Sequence, residues 1–184
     1  MGQEHCYPRY VMRFCPRCAS GDFRFRQNHS FLCGDCGFEF FINAAAAVVA
    51  LIEDREGRLL LVRRARDPMK GMLDLPGGFA DPGENAEQAL AREVGEELNL
   101  EVERCSYFCS HPNTYLYGGI VIYTLDLAFT CSVRDLSVIR EGDDAEEHLF
   151  LHPEAVPTGE VAFDSIRQVI QRYASSRMKG RGRG

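Results

Sequence analysis

The spacing of apolar residues changes character several times along this chain. Phe23-Arg24-Phe25-Arg26 alternates apolar and charged positions, the period of a strand with one wet face, and Ser30-Phe31-Leu32 forms a second short extended run. From Ala44 to Ile52 every residue is apolar. That run is too short to cross a bilayer and reads as a buried strand. Asp54-Arg55-Glu56-Gly57 reads as a turn, Arg58–Arg64 as the returning strand and Asp67–Leu73 as a loop. Between Asn85 and Asn99 the period becomes helical, with Ala86, Ala89, Leu90, Val94 and Leu98 in one stripe. Glu101–Ser110 and Gly119–Thr130 read as further strands, Arg140–Glu147 as an acidic loop and Glu147–Leu151 as a short strand. Phe163–Ala174 is a second amphipathic helix, with Ile166, Val169, Ile170 and Tyr173 on its inner face. Strands on both sides of one helix, with another helix at the end, predict an α/β fold: a sheet between helices, α/β/α.

Composition adds a division into parts. The 184 residues allow one ordinary domain and a small module. We divide them into a loosely held lead-in (1–12), a cysteine module (13–40), the main domain (41–174) and a basic Gly/Arg tail (175–184) expected to be disordered. Hydrophobic residues at 45% and charged residues at 26% describe a soluble globular protein. The net charge of −6 gives no overall attraction to nucleic acid or anionic lipid. Met1–Cys6 contains no signal-peptide hydrophobic region, and Cys6 stands where a myristoylation signal needs Ser or Thr. A cytoplasmic protein with no membrane partner is the expectation.

The eight cysteines fall into two sets. Cys15-x2-Cys18 and Cys33-x2-Cys36 are two knuckles of the zinc-ribbon kind, while Cys6, Cys105, Cys109 and Cys131 are scattered. Zn²⁺ takes four thiolates tetrahedrally, and a segment this short has too little core to fold without it. A redox dithiol is the other reading of the paired set.

The strongest candidate chemistry lies where a glycine-rich loop runs into the first helix. Glu93, Glu96 and Glu97 stand at i, i+3 and i+4, so their side chains share one face. Neighbouring carboxylates repel unless cations sit among them, and hard divalent ions prefer oxygen ligands and commonly bridge to phosphates. A solvated acidic face is the plain alternative. The stretch from Gly78 to Leu100 resembles the Nudix box, Gly-x5-Glu-x7-Arg-Glu-U-x-Glu-Glu-x-Gly-U, with U a bulky aliphatic residue. Gly78, Glu84, Arg92, Glu93, Val94, Glu96, Glu97 and Leu100 match in place, and Leu73–Gly78 resembles the usual lead-in. Asn99 stands where the family has glycine, a mild change because Asn also tolerates the left-handed conformation that ends a helix.

The resemblance implies an α/β/α sandwich with a mixed sheet and a metal-dependent hydrolysis of diphosphates. It implies Glu96 and Glu97 as main ligands of Mg²⁺ or Mn²⁺, joined by the Gly77 carbonyl, with Glu93 as ligand or base. Glu84 would be a peripheral or water-mediated ligand, and Arg92 would hold a catalytic glutamate. Asp143–Phe150 resembles the family's later Glu-Ala-x-Trp-Phe stretch. That alignment makes Glu146 a further functional carboxylate, or Glu147 if the register slips by one; a solvated acidic loop is the plain reading.

A four-cysteine ribbon directly before such a domain, with fourteen residues between its pairs, resembles the NADH pyrophosphatase branch. That branch follows its box with Ser-Gln-Pro-Trp-Pro-Phe-Pro-x-Ser. Here Ser110-His111-Pro112-Asn113-Thr114-Tyr115-Leu116-Tyr117 keeps only the Ser and the Pro, and the chain has no tryptophan. We read His111 as substrate-loop packing, with general base work as the sharper alternative. Phe41, Phe79, Tyr115 and Tyr117 are the candidates for stacking on a base, and core or loop packing is the plain reading of each. The resemblance leaves NADH, ADP-ribose or a similar nucleoside diphosphate derivative as substrate, a nucleoside monophosphate as product, and a homodimer as assembly. A second reading makes the chain a regulatory module that binds RNA or nucleotide. Residues 1–40 hold five arginines against four carboxylates, so Arg13, Arg17, Arg24 and Arg26 with Phe14, Phe23 and Phe25 offer only a weakly charged face. Removal of an NAD-type cap from RNA would combine both readings.

Overall fold

The computed structural model describes residues 3–140, 142 and 145–181. The chain forms two compact units, one of residues 1–44 with 114–123 and the other of residues 45–113 with 124–184.

The first unit is the cysteine module and more. A 3-10 turn (Gln3–Cys6) and a short helix α1 (Pro8–Val11) precede three strands, β1 (Phe23–Arg26), β2 (Ser30–Cys33) and β3 (Glu39–Phe41). They form an antiparallel sheet in the order β1-β2-β3. Phe23 stacks on Phe31 at 4.9 Å, and with buried Cys15 and Cys33 these rings centre a small core against which Met12, Cys36, Phe38, Phe40 and Ile42 pack half-buried. Residues 1–12 are therefore not a loose lead-in throughout: Pro8 presets φ at the start of α1 and is buried. Phe41, assigned above to the main domain, pairs with Ser30 in the ribbon sheet.

The second unit is built on β4 (Ala45–Ile52), the apolar run. The other elements are β5 (Leu59–Arg64), β6 (Leu73–Asp74), β7 (Gly77–Phe79), α2 (Ala86–Leu98), β8 (Val102–Tyr117), β9 (Ile120–Val133), β10 (Ala145–Leu151) and α3 (Asp164–Arg181). One sheet runs β7-β4-β9-β8 and is mixed: β4 is parallel to β9 and antiparallel to β7. A second, antiparallel sheet runs β10-β5-β6. From Val48 to Ile52 the run is buried on both faces, whereas Ala44 and Ala46 are exposed. Val48, Ala50 and Ile52 join Leu90, Val94 and Leu98 of α2 in one core; Val49 and Leu51 join Ile166, Val169 and Ile170 of α3 in the other. The α/β/α layering expected from the pattern is present.

Two expectations are corrected. Residues 111–117 are strand, not loop, because β8 and β9 form one long hairpin about Gly118 (φ 56°) and Gly119 (φ 81°). β8 is the edge of its sheet, the place in a sheet where a proline such as Pro112 is tolerated. The tip of this hairpin, residues 114–123, belongs to the first unit. The basic tail is helical as far as Arg181, because α3 continues beyond Ala174. Ser175 and Ser176 bond back to the carbonyls of Gln171 and Tyr173, and Arg177 reaches Glu53 and the Gly57 carbonyl. Residues 182–184 of that tail, and Glu141, Asp143 and Asp144 of the acidic loop, lie outside the described residues. Among the described residues no helix is long and apolar enough to cross a membrane.

Candidate active site

The glutamate helix has clear local reasons to start and stop. Asn85 accepts from the Gln88 N–H, and Gln88 accepts in return from the Asn85 N–H, a reciprocal cap. Asn99 ends the helix at φ 56°, ψ 31°, the left-handed conformation, and its N–H bonds the Gly95 carbonyl at 2.9 Å.

Arg92 is the hub of the site. It donates to both oxygens of Glu84 (Nε 2.8 Å, Nη2 2.9 Å), to Glu93 (2.8 Å), to Glu96 (3.2 Å) and to the Phe79 carbonyl (3.0 Å). The guanidinium is held charged, first by Glu84 and then by Glu93 and Glu96. Glu84 is pulled down to about 2, first by Arg92 and then by the Asp81 N–H. Both Glu84 oxygens are thus committed to Arg92. Glu97 accepts from the Gly77 N–H at 3.0 Å. On the face the three carboxylates share, Glu93 and Glu96 accept from Arg92, and Glu97 accepts from the Gly77 N–H. Among the described residues they do not form a closed cluster of ligand atoms. Glu96 is the most open of those bound to Arg92, with its side chain 63% exposed against 16% for Glu93.

Glycines bring the loop this close. A Cβ on Gly78 would stand 2.5 Å from the Glu93 carboxylate, and one on Gly77 would strike the Val48 carbonyl. Gly77 also sits at φ 148°. A third glycine was not anticipated. Gly142 donates to the Glu97 carbonyl at 2.7 Å, Arg140 donates to that of Leu98, and a Cβ at 142 would meet the Glu96 carbonyl. The acidic segment is thereby laid along the end of α2. Just beyond it, the register of β10 on β5 slips between Ala145 and Glu147, so Glu146 is the bulged residue. Glu147 is in register opposite Arg63 and bonded to it at 2.7 Å, whereas no described residue engages Glu146.

Asp74 and Asp126, which sequence reasoning missed, are buried polar groups on strands. Asp74 accepts from Arg64 at 2.8 Å and from the Leu75 N–H. Burial pushes Asp74 up to about 6, against the pull of Arg64. Asp126 accepts from Ser165 (2.5 Å), Thr124 (2.7 Å) and Asn113 (3.1 Å). Among the described residues the buried Nε2 of His111 has no hydrogen-bond partner. No local pattern marks Asp74 and Asp126, because Arg64, Asn113 and Ser165, which tie them to other elements, lie ten, thirteen and thirty-nine positions away.

In the ribbon unit the four paired cysteines have all their sulfurs within 4.8 Å of one another. Cys15–Cys36 and Cys18–Cys33 are separated by 3.7 and 3.6 Å. Tetrahedral zinc with bonds of about 2.3 Å needs sulfurs about 3.8 Å apart. Ala19 and Gly37, each directly after a knuckle, take positive φ and return N–H bonds to Cys15 and Cys33. Within this set the Cys36 N–H, opposed by burial, draws the Cys33 thiol down, while, against the pull of the Ser20 backbone, the neighbouring thiols and burial push the Cys18 thiol up. The set fits a four-thiolate metal ion.

The profile of the NUDIX domain matches residues 43–173. The chain belongs to the Nudix family. An ADP-ribose pyrophosphatase of Methanocaldococcus jannaschii is 31% identical over 140 residues, covering 74% of this chain and 76% of the relative. The NAD-capped RNA hydrolase NudC of Vibrio parahaemolyticus is 31% identical over 159 residues, covering 86% of this chain. The chain spans about 60% of the length of that NudC relative. A crystal structure of a Nudix hydrolase from Nitrosomonas europaea matches with TM-score 0.66 at 24% identity, over 92% of this chain and 94% of that one, and shows the fold.

The Nudix helix and its loop gather Gly77, Glu84, Arg92, Glu93, Glu96 and Glu97 in one unit. Glu146 lies in the same unit, on β10. Of the stacking candidates, Phe79 is placed beside the glutamates through its carbonyl bond to Arg92. Phe41, Tyr115 and Tyr117 belong to the ribbon unit.

Proposed function

We propose that this Nudix protein hydrolyses the pyrophosphate bond of a nucleoside diphosphate joined to a second group, of the ADP-ribose or NADH kind, and releases a nucleoside monophosphate. The observation that carries this reading is Arg92 holding Glu84, Glu93 and Glu96 at once, with Glu97 anchored to Gly77. A spare guanidinium would bind substrate. This one is saturated by carboxylates, so it organises a metal-binding face instead.

Mg²⁺ or Mn²⁺ would sit on Glu93, Glu96 and Glu97, with the Gly77 carbonyl beside them. When bound, the ion neutralises phosphate charge and lowers the pKa of a bound water. Glu96 is the carboxylate best placed to leave Arg92 for a cation. Glu84 serves by fixing Arg92, which replaces the peripheral-ligand role read from the sequence. Glu146, re-aimed by its bulge, is the further carboxylate, and Glu147 keeps β10 on β5. Zn²⁺ on Cys15, Cys18, Cys33 and Cys36 is structural. The assembly we propose is a homodimer located in the cytoplasm.

The test is turnover. Purified protein with Mg²⁺ or Mn²⁺ releases AMP from ADP-ribose or NADH, and Glu96→Gln or Glu97→Gln lowers kcat by roughly a hundred-fold or more. Folded, zinc-loaded protein that turns over none of a panel of nucleoside diphosphate derivatives would sink the reading. The NudC relatives favour a second substrate, an NAD cap on RNA, which the same assay reads from capped transcripts.

A further inference from the structure

A cavity of about 260 Å³ opens in the ribbon unit, away in sequence from the Nudix helix. Tyr7, Phe25 and Tyr123 supply aromatic wall; Arg9, Gln27 and His29 supply polar groups. Among the described residues no carboxylate lines it. Tyr7 and Tyr123 face each other as a wedge, centroids 6.2 Å apart and planes tilted by 40°. The Arg9 guanidinium stands over Tyr7 at 5.9 Å and Tyr10 at 5.2 Å.

We propose that this cavity binds a nucleotide, its base against Tyr7 and Tyr123 and its phosphate at Arg9. Four features of the site specify that chemistry. Sites for drug-sized ligands run to about 300–1,000 Å³, so this one takes a single ring system rather than a whole dinucleotide. Aromatic faces suit a flat ring, and base-on-aromatic stacking is tolerant of which base it is. The Gln27 amide offers donors and an acceptor to a base edge. The Arg9 guanidinium in the lining favours an anion over a cation or a neutral apolar molecule.

The rest of the unit agrees. The chain carries −6 overall, yet residues 1–44 hold five arginines against four carboxylates. Arg24 and Arg26 are paired with Asp22 and Glu39. Among the described residues Arg9, Arg13 and Arg17 have no carboxylate partner. The unit also exposes Tyr10, Phe14, Phe25, Phe41 and Tyr117. Unpaired arginines among exposed aromatics form a stacking surface with anion affinity.

The site does not depend on the pyrophosphatase reading, and one experiment separates the two. Full-length, zinc-loaded protein is photolabelled with 8-azido-AMP without added Mg²⁺ or Mn²⁺, and labelled peptides are mapped by mass spectrometry. The expected label falls on the peptides containing Tyr7–Arg9 or Tyr123 and is competed by AMP. It drops roughly ten-fold in Tyr7→Ala and in Arg9→Ala. Arg9→Ala keeps wild-type zinc content and wild-type ADP-ribose turnover. If Tyr7→Ala loses zinc, Arg9→Ala and Gln27→Ala decide alone. A second arm places the azido base in a short single-stranded oligoribonucleotide. Labelling by the oligonucleotide at concentrations where the free nucleotide gives none assigns the site to a strand, and the reverse assigns it to a free nucleotide. Label confined to residues 45–113 and 124–181, label indifferent to Arg9→Ala, or no label from either probe overturns the proposal. Absent ADP-ribose turnover with label intact at Tyr7 or Tyr123 overturns the enzyme reading and leaves this one standing.

Discussion

Gly77 and Gly78 are adjacent, but their missing Cβ atoms face different neighbours. At Gly78 the obstacle is the flexible end of Glu93; at Gly77 it is the backbone of β4. Gly78→Ala should therefore leave thermal stability within about 1 kcal/mol of wild type while displacing Glu93, so that kcat falls by one or two orders of magnitude. Gly77→Ala should instead lower Tm strongly, because the β4–β7 pairing must shift and φ 148° is strained for alanine. Equal loss of activity and stability in both variants would refute this division. Asp74 makes the other residue-scale prediction. Its pKa is raised by burial from 3.8 to about 6, so the native state holds that proton more tightly than the unfolded chain. The stability it contributes is complete below about pH 4 and lost as pH rises through about 6. Urea melts of wild type and Asp74→Asn should converge or cross over that window, the wild type losing on the order of 2–3 kcal/mol relative to the variant. A pH-independent difference would show that Asp74 titrates normally.

At the scale of elements, both ends of α2 were legible, because capping is local chemistry. Asn85 and Gln88 stand three residues apart, and the left-handed position falls on the next most tolerant residue after glycine. Asn99→Gly should be close to neutral by thermal melt, and Asn99→Ala should cost about 1 kcal/mol. The opposite ranking would mean that the Asn99 bond to the Val138 carbonyl outweighs the backbone conformation. The long hairpin was less legible. Pro112 reads as a loop residue until β8 is known to be an edge strand, which is a fact about neighbours. The extension of α3 escaped for a similar reason. Glycine and arginine near the terminus look disordered by composition, yet Arg177 is tied to Glu53, 124 residues away.

At the scale of the molecule, the chain is two units with separate cores, and the smaller core holds four buried residues, two of them cysteines. Such a core is too small to fold alone, so the proposed zinc supplies its folding free energy. Chelation should abolish hydrogen-exchange protection across β1–β3 while Val94 and Leu98 of α2 stay protected by their own core. Protection of β1–β3 that survives verified zinc removal would contradict this. The Nudix box and the paired cysteines were readable because each is a set of chemical groups at short, fixed spacing, which one helix turn or one knuckle converts directly into geometry. Membership of the hairpin tip in the ribbon unit, the bulge that separates Glu146 from Glu147, the seat of Gly142 on α2 and the Asp74 and Asp126 networks were not readable. Each depends on segments far apart in the chain meeting through packing, and local periodicity carries no record of which distant partner a residue will find.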